Sequence, residues 1–290
     1  MHSLRGWTVA VALFGSAVAA PPGGLGPADL PALLARAGDR VASYYAQART
    51  LICTETLLLQ PLDSDWSPRG MPRRVVSELR VEWDPKARPT PKAQVVRRTI
   101  SINGRPPDKA KRNPEDACMD PRPVSPEPLE FLLASHRADY AFTWAGTDRV
   151  DGRVAARIDY RPLNAPPASV VWKGDCVSVD VPAQERGRVW LDLESADVLR
   201  VDSRLEGRFD FNVPPDKQHF GPSWMEIERA DETIRYKPIA FHNPDETVML
   251  PVSIDALQII RNSGAPRVRT HRDLSDYRRF LTSGKLVPPS

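Results

Sequence analysis

This chain has few cysteines and few aromatic residues, and its net charge is small. Three cysteines occur among 290 residues, aromatic residues make up 7%, and the formal net charge is +3. A chain so nearly balanced in charge has no general electrostatic attraction to nucleic acid. The basic C-terminal segment, from Arg261 to Lys285, has too few interleaved aromatic residues to form a stacking surface for bases. Nucleic acid is therefore not an expected partner.

Long hydrophobic runs are missing after the first twenty residues. Arg5 precedes a short apolar stretch, Trp7 to Phe14, and Ala17-Val18-Ala19 has the small-x-small pattern of a signal-peptide cleavage site. The stretch is shorter than the about 20 residues that span a bilayer. No cysteine follows it closely enough to carry a lipid anchor. We predict that residues 1–19 are a signal peptide and that residues 20–290 form a single exported β-rich domain, periplasmic or secreted and not membrane-spanning.

Recognisable catalytic and metal-binding patterns are also missing. The sequence has no G-x-S-x-G nucleophile elbow. Its histidines are scattered, without an H-x-x-x-H pair at metal-ligand spacing. No two acidic residues stand out as the carboxylate pair of a glycosidase. We therefore expect no catalytic residue, no metal and no cofactor; because triads are assembled in space, an unrecognised hydrolase stays open as an alternative.

Proline, by contrast, is abundant. The chain has 30 prolines, clustered in segments that predict loops, the longest at about 105–128. Cys118 lies in that loop, Cys176 begins a predicted strand, and Cys53 lies in an apolar stretch typical of a buried thiol. Because an oxidising compartment favours one disulfide among three cysteines, we predict a Cys118–Cys176 bond. Three free thiols are the alternative.

The apolar periodicity predicts two helices and a series of strands. Asp29 opens an amphipathic helix that runs to about Ala48, and Ser125-Pro126-Glu127 begins a second, short one. Beyond about residue 50 the period is mostly two, with Asp151-Gly152 as the strongest hairpin signal. The predicted strands are Ile52–Gln60, Val75–Trp83, Val95–Ile102, Phe142–Trp144, Val154–Tyr160, Cys176–Val181, Gly187–Leu193, Val198–Phe211, Ile227–Phe241, Thr247–Arg261 and Val268–Phe280.

This pattern predicts an α+β, mostly β fold. We expect a large curved antiparallel sheet, half-barrel-like, with the N-terminal helix and the second short helix packed on it. The apolar faces of the strands either fill a core beneath the helices or line a ligand cavity. If they line a cavity, the predicted residues are Leu79, Val81, Trp83, Phe142, Trp144, Ile158, Tyr160, Val189, Leu191 and Val201.

The segment Gly187-Arg188-Val189-Trp190-Leu191-Asp192, running on to Val198-Leu199-Arg200, resembles a hairpin of the bacterial outer-membrane lipoprotein-sorting (LolA/RseB-like) periplasmic superfamily. The export signal and the passage from helix to strand between Val41 and Leu59 fit the same group. The chain departs from the family pattern at the turn, Glu194 to Asp197, and in its Pro-rich loop. The resemblance implies a half-barrel sheet with an apolar cavity and a lipid-like or acylated protein ligand.

The sequence thus predicts a non-catalytic periplasmic binding or carrier protein for a lipid-like or lipoprotein ligand. One alternative is an envelope protein–protein interaction or sensor module that uses strand edges or the basic C-terminal strand. The unrecognised hydrolase is the second alternative. A carrier needs a continuous apolar cavity, a sensor needs an exposed patch or a free strand edge, and an enzyme needs convergent polar groups with perturbed pKa values.

Overall fold

The computed structural model describes residues 26–47, 50–83, 93–108, 127–173, 176–218, 221–242, 245–263 and 267–279. The predicted signal peptide and Cys118 lie outside these residues, as does most of the Pro-rich loop. The backbone of Cys176 is described, but the Cys118–Cys176 bond falls outside the described part of the chain and stays a prediction.

The predicted N-terminal helix is present as α1, Leu30–Gln47. A 3₁₀ turn, Pro27–Asp29, precedes it, and the Asp29 carboxylate accepts a hydrogen bond from the Gly26 amide at 3.0 Å. The helix begins there because this carboxylate satisfies a backbone donor at a helix N-terminus. Its buried residues recur at three- and four-residue steps and form one stripe: Leu33, Leu34, Ala37, Gly38, Val41 and Tyr44.

The predicted second, short helix is present at the expected place in the chain. The segment Glu127–Leu132 forms a 3₁₀ helix, which we call the 3₁₀ segment, and not an α-helix. Pro128 has no backbone N–H to donate, and a run this short suits the tighter i→i+3 pattern. The segment nevertheless buries Leu129, Phe131 and Leu132 in the core, so its apolar side chains pack as the sequence pattern indicated.

Thirteen strands follow α1 in the described part of the chain, and most agree with the sequence pattern to within a few residues. Their bounds are β1 Thr50–Pro61, β2 Arg73–Trp83, β3 Ala93–Ile102, β4 Tyr140–Val150, β5 Arg153–Pro162, β6 Ser169–Lys173, β7 Cys176–Asp180, β8 Glu185–Asp192, β9 Val198–Leu205, β10 Phe209–Asn212, β11 Trp224–His242, β12 Asp245–Arg261 and β13 Arg267–Arg279.

Eleven strands form one antiparallel sheet in the order β3-β2-β1-β13-β12-β11-β9-β8-β5-β4, with β10 paired to β11 alongside. The predicted large antiparallel sheet is confirmed. Within the described residues it is open, with β3 and β4 at its two ends. The N-terminal strand β1 pairs with the C-terminal strand β13, from Leu51 opposite Arg279 to Pro61 opposite Val268. Strands β6 and β7 form a separate hairpin.

Two turns follow from local sequence. Asp151 and Gly152 both have positive φ, +48° and +82°, which is the type I′ geometry that the Asp-Gly pair predicts between β4 and β5. The segment Val198–Phe211, predicted as one strand, is divided into β9 and β10. Gly207 lies between them with φ +87°, a conformation that glycine adopts without a steric cost.

Candidate binding site

One face of the sheet is covered by α1 and the 3₁₀ segment, and we call it the covered face; the opposite face is the outer face. The covered face carries most of the residues predicted to line a cavity. Seven of them are at most 4% exposed: Leu79, Val81, Ile158, Tyr160, Val189, Leu191 and Val201. Phe142 and Trp144 are partly buried against the same cluster. The side chain of Trp83 lies outside the described residues.

Strand register brings these side chains together. Ile158 on β5 is opposite Val189 on β8, Val189 is opposite Val201 on β9, and Val201 is opposite Ile234 on β11. Directly opposite residues in an antiparallel sheet point to the same face. A row of β-branched side chains therefore crosses four strands beneath α1. The sequence predicted three members of this row from alternation, but not which strands are neighbours.

Leu199 is an exception to the predicted alternation. Strict alternation along β9 would put Leu199 on the same face as Val201, but Leu199 packs in a small separate cluster with Ala155 and Trp190. A β-bulge between Trp190 and Leu191 shifts the register of β8 against β9. A bulge places two residues opposite one, which breaks the alternation locally.

Helix α1 is attached to the rest of the protein by contacts on two sides. Gly38 lies against the 3₁₀ segment so closely that an added Cβ would be 2.6 Å from the Leu132 carbonyl oxygen. On its exposed side, Arg36 donates to the carbonyl oxygens of Leu193 and Glu194, and Arg40 donates to that of Ser195, each at 3.1 Å. Apolar packing and these exposed hydrogen bonds hold the helix over the sheet, together with part-buried ones from Arg137 to the Leu34 carbonyl oxygen and from Arg279 to that of Gln47.

Phenol groups lie within this apolar layer. The hydroxyls of Tyr44 and Tyr236 are buried and have no hydrogen-bond partner in the described part of the chain. The Tyr277 hydroxyl donates to the Pro251 carbonyl oxygen at 2.5 Å. Burial raises the pKa of all three phenols well above the usual range, so they are neutral donors. An unpaired buried hydroxyl costs about 1–3 kcal/mol, so the two free ones can donate to an acceptor that enters this layer.

Cys53 lies in the same layer and is chemically inert. It is 1% exposed, and burial, followed by the charge of Glu55, raises the pKa of its thiol to about 12. The thiolate is the nucleophilic form of cysteine. The structure therefore provides no activated thiol at this position, in agreement with the buried thiol that the apolar context predicted.

A buried ion pair lies further along the covered face, and the sequence analysis missed it. Glu55 on β1 is fully buried and accepts two hydrogen bonds from Arg97 on β3, at 3.0 and 3.3 Å. Arg272 on β13 is 4.0 Å from the same carboxylate. Glu55 follows Leu51 and Cys53 in strict alternation, and this signal would have placed it on the buried face.

The hairpin between β8 and β9 explains the residues of the sequence motif. Gly187 faces the ring of Tyr160, while Val189 and Leu191 fill the core. The Asp192 carboxylate accepts from the amides of Glu194 and Ser195, at 2.9 and 2.7 Å. It also accepts from Arg153 at 2.8 Å. The motif is thus a structural device that shapes the turn contacted by α1.

The described residues contain neither a candidate metal-binding cluster nor a candidate membrane-spanning helix. Among those residues, no three His, Cys, Asp or Glu side chains converge as a metal site would require. No helix among them is long and apolar enough to cross a membrane. His271, which appeared isolated in sequence, lies between Asp255 and Asp273 on the outer face, at 2.6 and 3.1 Å.

Comparisons with known proteins give likenesses of structure alone. No family model and no curated protein matches the chain. A DUF1329 family protein from Desulfovibrio piger ATCC 29098 is 11% identical with a TM-score of 0.42, covering 88% of this chain and 95% of its own. A putative outer membrane lipoprotein-sorting protein domain from Vibrio parahaemolyticus is 10% identical with a TM-score of 0.38, covering 87% and 94%.

A LolA superfamily protein from Nitrosomonas europaea is 9% identical with a TM-score of 0.32, covering 84% of this chain and 94% of its own. Two of the three carry a lipoprotein-sorting or LolA description, which is the family that the Gly187 hairpin resembles. At these identities and TM-scores the likeness concerns the arrangement of helix and sheet, and nothing about ligand or activity is taken from it.

Proposed function

We propose that this chain is a non-catalytic periplasmic binding or carrier protein for a lipid-like ligand, either a free lipid or the acyl chain of a lipoprotein. The ligand lies on the covered face, between the sheet and α1. In the structure this space is filled by core side chains, so α1 and the 3₁₀ segment move away from the sheet when the ligand enters. Each buried methylene of an acyl chain contributes about 0.8 kcal/mol before the costs of binding.

The observation that carries this proposal is the pair of unpartnered phenol hydroxyls within an apolar layer. Tyr44 on α1 and Tyr236 on β11 belong to the same core cluster and are at most 5% exposed. Burying two unsatisfied donors is unfavourable for a core that only has to be stable. They suit a ligand with a long apolar body and an ester or amide carbonyl, which accepts their hydrogen bonds.

The exposed contacts of α1 suit a helix that moves. Arg36 and Arg40 hold it to the turn after β8 through backbone carbonyls, in water, where each bond contributes little net free energy. Replacing both with alanine is expected to speed the uptake of a fluorescent fatty acid. Arg98→Ala is the control, because Arg98 is an exposed arginine of β3 on the outer face, opposite the face that α1 covers.

The first test is native mass spectrometry of protein purified from the periplasm, followed by lipid extraction. A stoichiometric lipid or acyl chain supports the proposal.

Delipidated Tyr44→Phe and Tyr236→Phe variants should melt at or above the wild-type temperature and bind an acyl probe about two- to tenfold more weakly, as the loss of one hydrogen bond predicts. Tyr140→Phe, at the rim of the same cluster, is the matched control.

Two results would overturn the carrier function. One is a delipidated protein that takes up no acyl probe, and the other is an acyl affinity that both tyrosine variants leave unchanged. Lower stability in the two phenylalanine variants would show that the hydroxyls have hidden partners and that the apolar layer has a purely structural role.

A second candidate function is an envelope interaction or sensor module. Its supporting observation is the edge strand β3, on which Val96 and Ile100 are 62% and 46% exposed. An end strand with exposed apolar side chains can pair with an extended segment of another chain. A photo-crosslinking residue at Val96 should capture a specific periplasmic partner, whereas one at Val154, on β5, should not. Equal capture at both positions would exclude a β3-specific partner.

A further inference from the structure

The outer face has a polar groove that the carrier function does not use. Its volume is about 470 Å³, within the range of small-ligand sites. Strands β4, β5, β8, β9 and β11 line it, on the side of the sheet opposite α1. Most of its side chains are charged, in contrast to the apolar covered face.

Three arginines from neighbouring strands form a row in this groove, which we call the arginine row. Arg186 on β8 is directly opposite Arg204 on β9. Tyr160 is opposite Gly187, so the antiparallel register places Arg161 on β5 beside Arg186. Directly opposite residues have Cβ atoms about 5 Å apart, and like charges at that distance are destabilising. Such a row needs counter-charges, and the described residues only partly supply them.

Arg186 has a counter-charge in Glu206, at 2.7 Å. Arg161 and Arg204 line the groove and are exposed, and neither has an ion pair or a side-chain hydrogen bond among the residues that the structure describes. The arginine row therefore carries two uncompensated guanidinium groups on adjacent sides of a paired one.

Three of the five acids that line the groove are engaged by arginines outside the arginine row. Asp159 forms a two-bond pair with Arg188, and Asp202 forms one with Arg200. Asp231, which is opposite Arg204, pairs with Arg229. Glu232 also lines the groove, although its register on β11, opposite Ser203, belongs to the covered face. Each of the four outer-face acids of the groove thus has an arginine partner, whereas Arg161 and Arg204 have no acidic partner in the described part of the chain.

We propose that the arginine row binds a phosphate group. A phosphate monoester carries a charge of about −1.5 to −2, which matches the two uncompensated guanidinium groups. Guanidinium groups offer paired N–H donors that fit phosphate oxygens in a two-bond geometry. Thr143 of β4 adds a hydroxyl at the groove wall. This site lies on the opposite face from the acyl site and does not depend on the carrier function.

Phosphate groups have two sources in the envelope, soluble phosphorylated molecules and lipid headgroups, and the test separates them. In the first arm, isothermal titration calorimetry measures binding of inorganic phosphate in a buffer free of other oxyanions. In the second, the protein is co-sedimented with phosphatidylcholine vesicles that contain phosphatidic acid, and with vesicles of phosphatidylcholine alone. Both arms compare wild type with Arg161→Gln, Arg204→Gln and the double variant.

Arg98→Gln is the matched control, because Arg98 is an outer-face arginine with 72% side-chain exposure at the other end of the sheet. We expect each single variant to weaken phosphate binding at least fivefold, which is the loss of about 1 kcal/mol, and Arg98→Gln to leave it unchanged. Binding in the first arm alone identifies a soluble ligand. Binding to the phosphatidic acid vesicles that depends on both arginines identifies a lipid headgroup. Binding in neither arm, or binding that the double variant retains, overturns the proposal.

Discussion

The ring of Tyr160 occupies the space that a side chain on Gly187 would need. A Cβ added to Gly187 would lie 2.1 Å from the Tyr160 Cζ atom. Phe131 of the 3₁₀ segment stacks on the other side of this ring, with centroids 4.0 Å apart. The glycine of the sequence motif is therefore required by close packing between β5 and β8. Because Gly187 has no side chain, the ring of Tyr160 can lie flat on the sheet.

Gly187→Ala should destabilise the fold by about 1–3 kcal/mol, since overpacking forces the ring or a strand to shift. Chemical denaturation checks this value. In a Tyr160→Ala background the clash is gone, so the same substitution should cost little. A double-mutant cycle with no coupling between Gly187 and Tyr160 would contradict the packing argument.

Asp192 should make the protein sensitive to acid. Although partial burial opposes ionisation, hydrogen bonds from Ser195 and Glu194 and the charge of Arg153 lower the pKa of its carboxyl group. A carboxyl group whose pKa is lower in the folded state contributes stability above its unfolded pKa, near 4, and that stability is lost as the pH falls through the folded pKa.

Asp192→Asn is therefore expected to cost about 1–3 kcal/mol at neutral pH, with a smaller difference from wild type in acid. Urea denaturation at several pH values measures both effects. Asp210→Asn, at an exposed position on β10, is the control and should have almost no effect. A cost for Asp192→Asn that is the same at every pH would contradict an ionised, hydrogen-bonded carboxylate.

The buried pair Glu55–Arg97 should be costly to break. Glu55→Gln leaves the Arg97 guanidinium buried beside a neutral group, and the loss of one partner of a buried pair costs about 3–5 kcal/mol. The double variant Glu55→Gln with Arg97→Met removes both charges, so it should be more stable than the sum of the single changes predicts. Additive effects in urea denaturation would show that the two side chains do not interact.

His271 should stabilise the fold when it is protonated. The hydrogen bond with Asp255 raises the pKa of its imidazole, partial burial opposes the shift, and Asp273 adds to it. Arg235, 3.6 Å from Asp255, competes for the same carboxylate. A histidine whose pKa is raised contributes stability that is fully present below its unfolded pKa, near 6.5, and is lost as the pH rises through the folded pKa.

His271→Gln should therefore lower stability relative to wild type below about pH 6 and have little effect in mildly alkaline solution. Denaturation of both proteins across this range checks the sign, and an NMR titration of the imidazole measures the pKa directly. A larger destabilisation at alkaline pH would mean that the neutral ring makes the stabilising contact.

Several features were predictable because their causes are local in the chain. The stripe Leu33 to Tyr44 identified α1, and the Asp151-Gly152 pair identified a tight hairpin. The alternation around Leu79 identified a half-buried strand. Where a local rule failed, a specific residue was responsible. Gly207 divided a predicted strand, and the bulge beside Trp190 moved Leu199 away from the main core.

The site depends on contacts between residues far apart in sequence. Glu55 meets Arg97 and Arg272 because β1 pairs with β2 on one side and with the last strand, β13, on the other. The arginine row exists because β5, β8 and β9 are neighbours in a particular register. Neither arrangement can be predicted from the residue order within a single strand.

Local sequence was enough to specify the elements: an N-terminal amphipathic helix, a short second helix, many alternating strands and the turns between them. Side-chain periodicity and turn chemistry act over a few residues, so a single chain segment contains that information. The choice of neighbouring strands, the apolar face that α1 covers and the charges that remain unpaired became known from the folded structure. Those outcomes depend on the joint packing of segments up to about two hundred residues apart, such as β1 and β13.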